Sequence, residues 1–307
     1  MTTDKVTVFA PAKINLTLHV TGQLPNGYHT LDSLVAFADI GDKITLHADW
    51  LPKRFSVTGP EAAPELESDR NIMWHAATRF WAPDTALSMQ LDKHLPMASG
   101  IGGGSADAAA TYRGLLMLRA AVEGRAAPRD PTAQDGRDLL DIGADVPMCV
   151  LSDPVRVQGI GEQMTPVADL HPYPVVLVNP RVQVSTPAVF KRLAVKDNPG
   201  QDPWPDSFED RDAALDWIGA QRNDLQDAAI RDCLAIAEVL EALAQEGTCR
   251  LARMSGSGAT CFGLYDRMYM ATAAAEAIRA AHPGWWVQVG RLNGGRHAAP
   301  QLIRSTT

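Results

Sequence analysis

Residues 95–109, Leu-Pro-Met-Ala-Ser-Gly-Ile-Gly-Gly-Gly-Ser-Ala-Asp-Ala-Ala, constrain this chain more than any other stretch, because three consecutive glycines run through a serine into an alanine-rich helical pattern. The stretch reads as a phosphate cradle. Glycine lets backbone N–H groups turn inward without a Cβ clash, and the first turn of a helix offers an anion its unpaired N–H groups and partial positive charge. Gly103 and Gly104 are the expected points of close approach, and Ser105 is placed to cap the helix or to face a phosphate or its metal. Helicity follows from Ala108, Tyr112, Leu116 and Ala120, which recur every four residues with Leu115 on the same face, so one stripe can pack on a sheet. Gly114 weakens that helix only locally.

In isolation, such a loop reads equally as a plain strand-to-helix turn. Known phosphate loops narrow the choice. The P-loop pattern fails because no Gly-Lys-Ser/Thr ends the loop, and the dinucleotide fingerprint fails because Ser105 stands in place of its last glycine after Gly100 and Gly102. Protein-kinase signatures are also missing, since the chain contains neither His-Arg-Asp nor Asp-Phe-Gly.

Length and charge bound what the loop can serve. With 307 residues the expectation is about two domains, each able to bury its own core. The 28 basic against 36 acidic residues give a net charge of −8, which argues against nucleic-acid or anionic-membrane partners. An anionic small substrate therefore needs local help from backbone dipoles, a lysine or a divalent cation. Cys149, Cys233, Cys249 and Cys261 lack a Cys-x-x-Cys pair, so neither a disulfide framework nor a zinc knuckle is expected. The start, Met1 to Leu18, shows no basic segment followed by an apolar one, and no apolar run reaches membrane-spanning length, which leads to the cytoplasm as the expected compartment.

Along the chain, Lys5 to Val20 alternates as one or two strands interrupted at Pro11, and Pro25-Asn26-Gly27 signals a turn. Ile44–His47, Phe55–Thr58 and Leu87–Leu91 are further strands, and Asn71–Trp81 is helical. A Pro- and Arg-containing surface segment, Gly124–Pro131, leads through an Asp-rich run to Ile142-Gly143-Ala144-Asp145-Val146-Pro147. Val175–Val178 reads as a buried strand opening a second domain, and Asp197–Asp212 as a solvated loop. Helices are expected near Asp212–Ile218, Leu225–Ala244 and Ala271–Ala281, with a strand hairpin at Arg250–Tyr265.

Three more segments combine with the glycine loop: Pro11-Ala12-Lys13-Ile14-Asn15-Leu16, Gly143-Ala144-Asp145-Val146-Pro147 and Met254-Ser255-Gly256-Ser257-Gly258-Ala259-Thr260. Together with Pro96–Ala109 they resemble the motifs of the GHMP small-molecule kinase superfamily, in that superfamily's order, over roughly residues 6 to 290. The segments Pro25-Asn26-Gly27-Tyr28-His29 and Ser185-Thr186-Pro187-Ala188-Val189-Phe190 resemble one branch, whose alcohol is a cytidine diphosphate conjugate of methylerythritol used for isoprenoid precursors. The resemblance implies an α+β protein of two domains. An N-terminal ribosomal-protein-S5-like domain would span residues 1–160 and bind nucleotide; a C-terminal ferredoxin-like domain would span 161–307, with the site between them.

The activity implied is phosphoryl transfer from ATP to an alcohol, with Mg²⁺ bridging phosphates and no dedicated metal cage in the sequence. Asp145 matches the family's catalytic base, and Lys13 its partner cation. Pro96, Met97, Ala98, Ser99, Gly100, Ile101, Gly102, Gly103, Gly104, Ser105 and Ala106 match the ATP loop, and Gly256, Ser257 and Gly258 a second loop beside the phosphates. Asn15, Tyr28, His29, Thr186 and Phe190 match the substrate positions, the two aromatics and the histidine serving the base. Taken singly, each residue has a plainer reading: Lys13 as a surface lysine, Asp145 as a helix cap, the Ser255–Gly258 stretch as a hairpin loop, Phe190 as core. Ala98-Ser99 departs from the small-residue pair of many relatives, and Gln226 stands where they carry Glu. A kinase of another alcohol, of homoserine or mevalonate type, is the nearest alternative, and an idle binding protein of the same fold the next. The cytidine set discriminates against the first and the Lys13–Asp145 pair against the second. Monomer and homodimer both stay open.

Overall fold

The computed structural model describes residues 4–48, 54–81, 86–126, 128, 139–167, 170–205, 208, 210–245, 247–293 and 299–303. The chain is built on two sheets with helices on their outer faces, an α+β architecture. The first sheet runs β12 (Gln301–Ile303), β1 (Lys5–Asn15), β3 (His29–Ala48), β5 (Leu87–Asp92), β4 (Arg54–Thr58), with β2 (His19–Gln23) and β6 (Val155–Gly159) also pairing with β3 and β7 (Gln163–Pro166) with β6. The second is antiparallel, in the order β11 (Trp286–Arg291), β8 (Pro174–Asn179), β10 (Cys261–Tyr265), β9 (Cys249–Met254).

Pro11 does not interrupt the first strand. β1 passes through it, and the register slips between the Pro11–Gly41 and Lys13–Phe37 pairs, so residues 38–40 of β3 oppose Ala12 alone. That irregularity divides the strand between two cores. Val6, Val8 and Ala10 pack with α1 (Ile72–Phe80) and α2 (Gly103–Val122), whereas Ala12, Ile14 and Leu16 pack against the second sheet. Gly41 is required at the slip, because a Cβ there would lie 2.2 Å from the Ala10 carbonyl oxygen. On the second sheet the period-two rule sorts β8: Val175 and Leu177 face the first sheet, Val176 and Val178 face the outer helices.

Asn71 caps α1 through its side chain, which accepts from the Met73 N–H. α2 lies close on the first sheet because Gly114 lets it: a Cβ would meet Leu46 Cδ1 at 2.6 Å and Val8 Cγ2 at 2.8 Å. The helix expected over Leu225–Ala244 is two helices, Gln226–Asp232 and Ala235–Gln245, broken where Cys233 turns extended and Leu234 faces solvent. Asp197–Asp212 is not wholly a solvated loop. Gln201 is buried in it, accepting from Thr17 Oγ1 at 2.7 Å while its N–H donates to Asp32. Residues 127 and 129–138 lie outside the described residues, and with them half of the Gly124–Pro131 segment and most of the Asp-rich run. All four cysteines are free thiols.

Candidate active site

A cavity of about 930 Å³ opens where the end of β1, the glycine loop, the N-terminus of α2 and the loop between β9 and β10 converge. Strand pairing puts Lys13 there. Its backbone N–H donates to the Ile101 carbonyl at 2.9 Å, which fixes the lysine to the glycine loop, and its ammonium meets Asp145 Oδ2 at 3.0 Å. Lys13 is buried, whereas the Asp145 side chain is 41% exposed toward the cavity. Asp145 occupies the N-cap position of α3 (Val146–Leu151), yet its side chain makes no cap bond. The carboxylate is thereby left to the lysine and the cavity.

α3 is held from its other end. Arg113, buried on α2, donates to the Cys149 and Val150 carbonyls at 2.6 and 3.2 Å and to the Phe9 carbonyl at 3.1 Å. These C-terminal carbonyls carry the helix's partial negative charge, so a guanidinium suits them although burial lowers it to about 10.

The two glycine-bearing loops interlock. Gly102, not Ser105, caps α2, in left-handed geometry (φ 66°); Ser105 is the third helical residue and lines the cavity without capping. A Cβ on Gly102 would sit 3.2 Å from Lys13 Cβ, and one on Gly100 (φ 75°) 2.7 Å from two carbonyl oxygens of the facing loop. Gly256 (φ 55°) approaches the Gly100 carbonyl equally closely. Within the protein, a Cβ on Gly103 or Gly104 would meet milder contacts, with nearest side-chain atoms at 3.2 and 3.6 Å. Ser99 donates its hydroxyl to the Pro96 carbonyl and accepts the Thr260 N–H on its own carbonyl, while Ser255 donates to the Gly100 carbonyl and accepts the Asn15 N–H. Ala98 adopts φ 48°, a left-handed conformation uncommon outside glycine and least strained for a small side chain. Pro96, Met97 and the other loop residues line the cavity, except Ile101 and Ala106, which are buried in the two cores.

Beneath the loop lies an arrangement the sequence did not announce. Lys93, at the end of β5, bridges Asp42 and Asp107, the latter at 2.9 Å, and Asp42 Oδ1 accepts the N–H groups of His94 and Leu95. Burial opposes the ammonium, but the two carboxylates outweigh it and raise Lys93 to about 12. Burial, and beyond it the nearby Asp42, holds the Asp107 carboxyl above the usual range against the pull of Lys93. One signal was available: an acidic residue on an alanine-rich, fully packed helix demands a buried cation. Glu65, Leu66, Ser68, Arg70, Asn71 and Ile72 also line the cavity, and no motif pointed to them.

The expected substrate residues divide. Asn15 and Thr186 line the cavity, Thr186 sharing a 2.7 Å hydroxyl contact with Ser257. Phe190, on α4 (Thr186–Lys191), stacks on His29 with ring centroids 4.7 Å apart. Burial, then the charge of Lys196, lowers the His29 pKa from its ordinary value. Tyr28 stands apart at the hairpin tip, 61% exposed. Gly258 shapes the second loop at φ 85°, its N–H donating to the Ser255 carbonyl. Gln226 accepts the Met254 N–H at the end of β9. Among the described residues, no cluster of three or more His, Cys, Asp or Glu could hold a metal.

Comparison with known proteins places the chain in a family. The profile of the GHMP kinases N terminal domain matches residues 71–152, and that of the GHMP kinases C terminal domain residues 208–284. The chain is 49% identical over 303 residues to the 4-diphosphocytidyl-2-C-methyl-D-erythritol kinase of Roseobacter denitrificans, covering 97% of each chain. It is also 49% identical to that of Ruegeria pomeroyi, over 94% of this chain and 99% of the relative. A crystal structure of 4-(cytidine 5'-diphospho)-2C-methyl-D-erythritol kinase superposes with a TM-score of 0.73 at 28% identity, covering 94% of this chain and 100% of the other. Homoserine kinase from Cytophaga hutchinsonii shares the fold alone, with a TM-score of 0.65 at 17% identity.

Proposed function

Because the chain belongs to the GHMP kinases, in the family of 4-diphosphocytidyl-2-C-methyl-D-erythritol kinases, we propose that it transfers the γ-phosphoryl group of ATP to the 2-hydroxyl of 4-diphosphocytidyl-2-C-methyl-D-erythritol, a step of the non-mevalonate isoprenoid precursor pathway. The products are the 2-phosphate and ADP. The observation that carries this reading is the Lys13–Asp145 pair at the floor of a cavity walled by the glycine loop.

An alcohol attacks phosphorus well only if its proton has an acceptor, and the half-exposed Asp145 carboxylate is that acceptor. As the substrate oxygen bonds to the γ-phosphorus, the bond from that phosphorus to the β-bridging oxygen breaks, ADP departs and Asp145 holds the proton. Lys13 balances the negative charge of the transferring group, and the N–H groups at the start of α2 add the helix's partial positive charge. Magnesium would be held by the nucleotide's phosphates rather than by a protein cage, with Ser105, which lines the cavity, beside it, and it would neutralise their charge there. The cytosine would lie against Phe190 and His29, with Tyr28 at the rim. Asn15 and Thr186 would meet the polyol.

A domain division near residues 160/161 belongs to the same reading. In its support, every strand of the first sheet except β12 ends by Pro166, and the second sheet begins at Pro174. No helix among the described residues is long and apolar enough to cross a membrane, and we place the enzyme in the cytoplasm with its small-molecule substrates. The test is competition. Purified enzyme given ATP and equal amounts of the cytidyl alcohol, homoserine and mevalonate should phosphorylate the first at least a hundredfold faster; preference for either of the others would overturn the substrate.

A further inference from the structure

We propose that Ser33 is a positioning residue for phosphoryl transfer: its hydroxyl fixes which way the Asn15 amide points, and through Asn15 it sets the place of the Lys13 ammonium. The inference rests on the reading of Lys13 and Asp145 as the reacting pair.

The argument is one of proton count. Ser33, on β3, is buried beside the cavity and donates its hydroxyl proton to the Thr17 carbonyl at 2.5 Å. A carbonyl can only accept, so that single proton is committed. Whatever part of Asn15 faces Ser33 must therefore donate, and Nδ2 does so at 2.8 Å. Oδ1 is then turned to the opposite side, where Lys13 Nζ, a donor without acceptor capacity, reaches it at 3.0 Å. The same ammonium meets Asp145 Oδ2 at 3.0 Å. The polarity is consistent from Thr17 to Asp145, and a flipped amide would set donor against donor at the lysine.

Thr17 is itself held on both sides of its hydroxyl. Its hydroxyl accepts the Leu34 N–H and donates to Gln201 Oε1, both at 2.7 Å, and the residue is fully buried. Asn15 and Ser33 are also buried, at 5% and 2% exposure, which leaves little water to compete for the amide. Loss of the Ser33 hydroxyl leaves Asn15 held only by the group it is meant to hold.

The prediction separates positioning from structure. Ser33→Ala should lower kcat about tenfold with the KM for ATP within twofold of the parent, and Ser33→Thr, which keeps the hydroxyl, should stay within threefold of parent kcat. In an Asn15→Ala background the Ser33→Ala change should cost less than twofold, because the residue through which it acts is gone. Ser33→Cys, close in volume but a weak acceptor, should resemble Ser33→Ala and serves if the alanine variant does not fold. Equal losses in both backgrounds, or a cysteine variant with parent kcat, would overturn the inference. If Lys13→Ala and Asp145→Asn turned over normally, the functional reading would fail instead, so the two failures are distinguishable.

Discussion

At the residue scale, the same chemical groups acquire different tasks from small differences in partners. Asp145 sits where a helix cap is expected, but without a cap bond it keeps its carboxylate for Lys13 and the cavity. Asp107, equally acidic, is enclosed and spends one oxygen on Lys93. Phe190 carries two contacts at once, the stack on His29 and the cavity wall, and an aromatic partner of a bound base is worth about 1–3 kcal/mol. Phe190→Ala should raise the KM for the cytidyl substrate by tens-fold and leave that for ATP nearly unchanged. Equal effects on both substrates in steady-state assays would reduce Phe190 to packing.

At the scale of elements, what could be read in advance was what local pattern encodes. The strand ending at Asp92, the helix from Gly103 and the buried run at Val175–Val178 each announce themselves by periodicity or a glycine boundary. β6, β7 and β11 did not, because they are short, and β6 and β11 also find their first partners far along the chain: β6 lies on β3, with Arg156 donating to Asp32 across 124 residues of sequence. The Lys13–Asp145 pair was legible only through motifs, whereas Ser33, Asp42 and Lys93 join its surroundings through strand pairing. The glycines illustrate the limit. Their run marked the loop, but backbone angles and neighbours distinguish Gly102 from Gly103. Gly102→Val, which combines left-handed strain with a contact on Lys13, should weaken ATP binding at least tenfold and lower kcat; calorimetric affinity equal to the parent's in a protein of unchanged Tm would refute the assignment.

At the scale of the molecule, the two sheets are joined by buried polar groups as well as by a shared core. Arg253 on β9 donates to the carbonyls of Leu16, Ile218, Gly219 and Gln221, tying the end of β1 to the second unit. His19 on β2 completes a neighbouring tie: Nδ1 faces the Pro199 carbonyl and Nε2 accepts the Arg222 N–H, each at 3.3 Å. Burial chiefly, and then the charge of Arg222, lowers its pKa below 6.5. A base with a depressed folded pKa contributes stability that is present above its unfolded value, about 6.5, and lost as pH falls through the lowered one. The Tm should therefore fall between pH 7.5 and 5.5, and less steeply in His19→Gln, which retains a donor and an acceptor. Parallel declines in the two proteins would remove His19 from the account.

The central claim is that the cavity transfers a phosphoryl group to an alcohol with Asp145 as proton acceptor and Lys13 as its cation. The most direct measurement is turnover of the cytidyl substrate by Asp145→Asn, an isosteric change that removes the acceptor, together with its ATP affinity by calorimetry. The account predicts a loss of at least about a hundredfold in kcat with ATP binding retained. Near-parent turnover by a folded Asp145→Asn enzyme would contradict it.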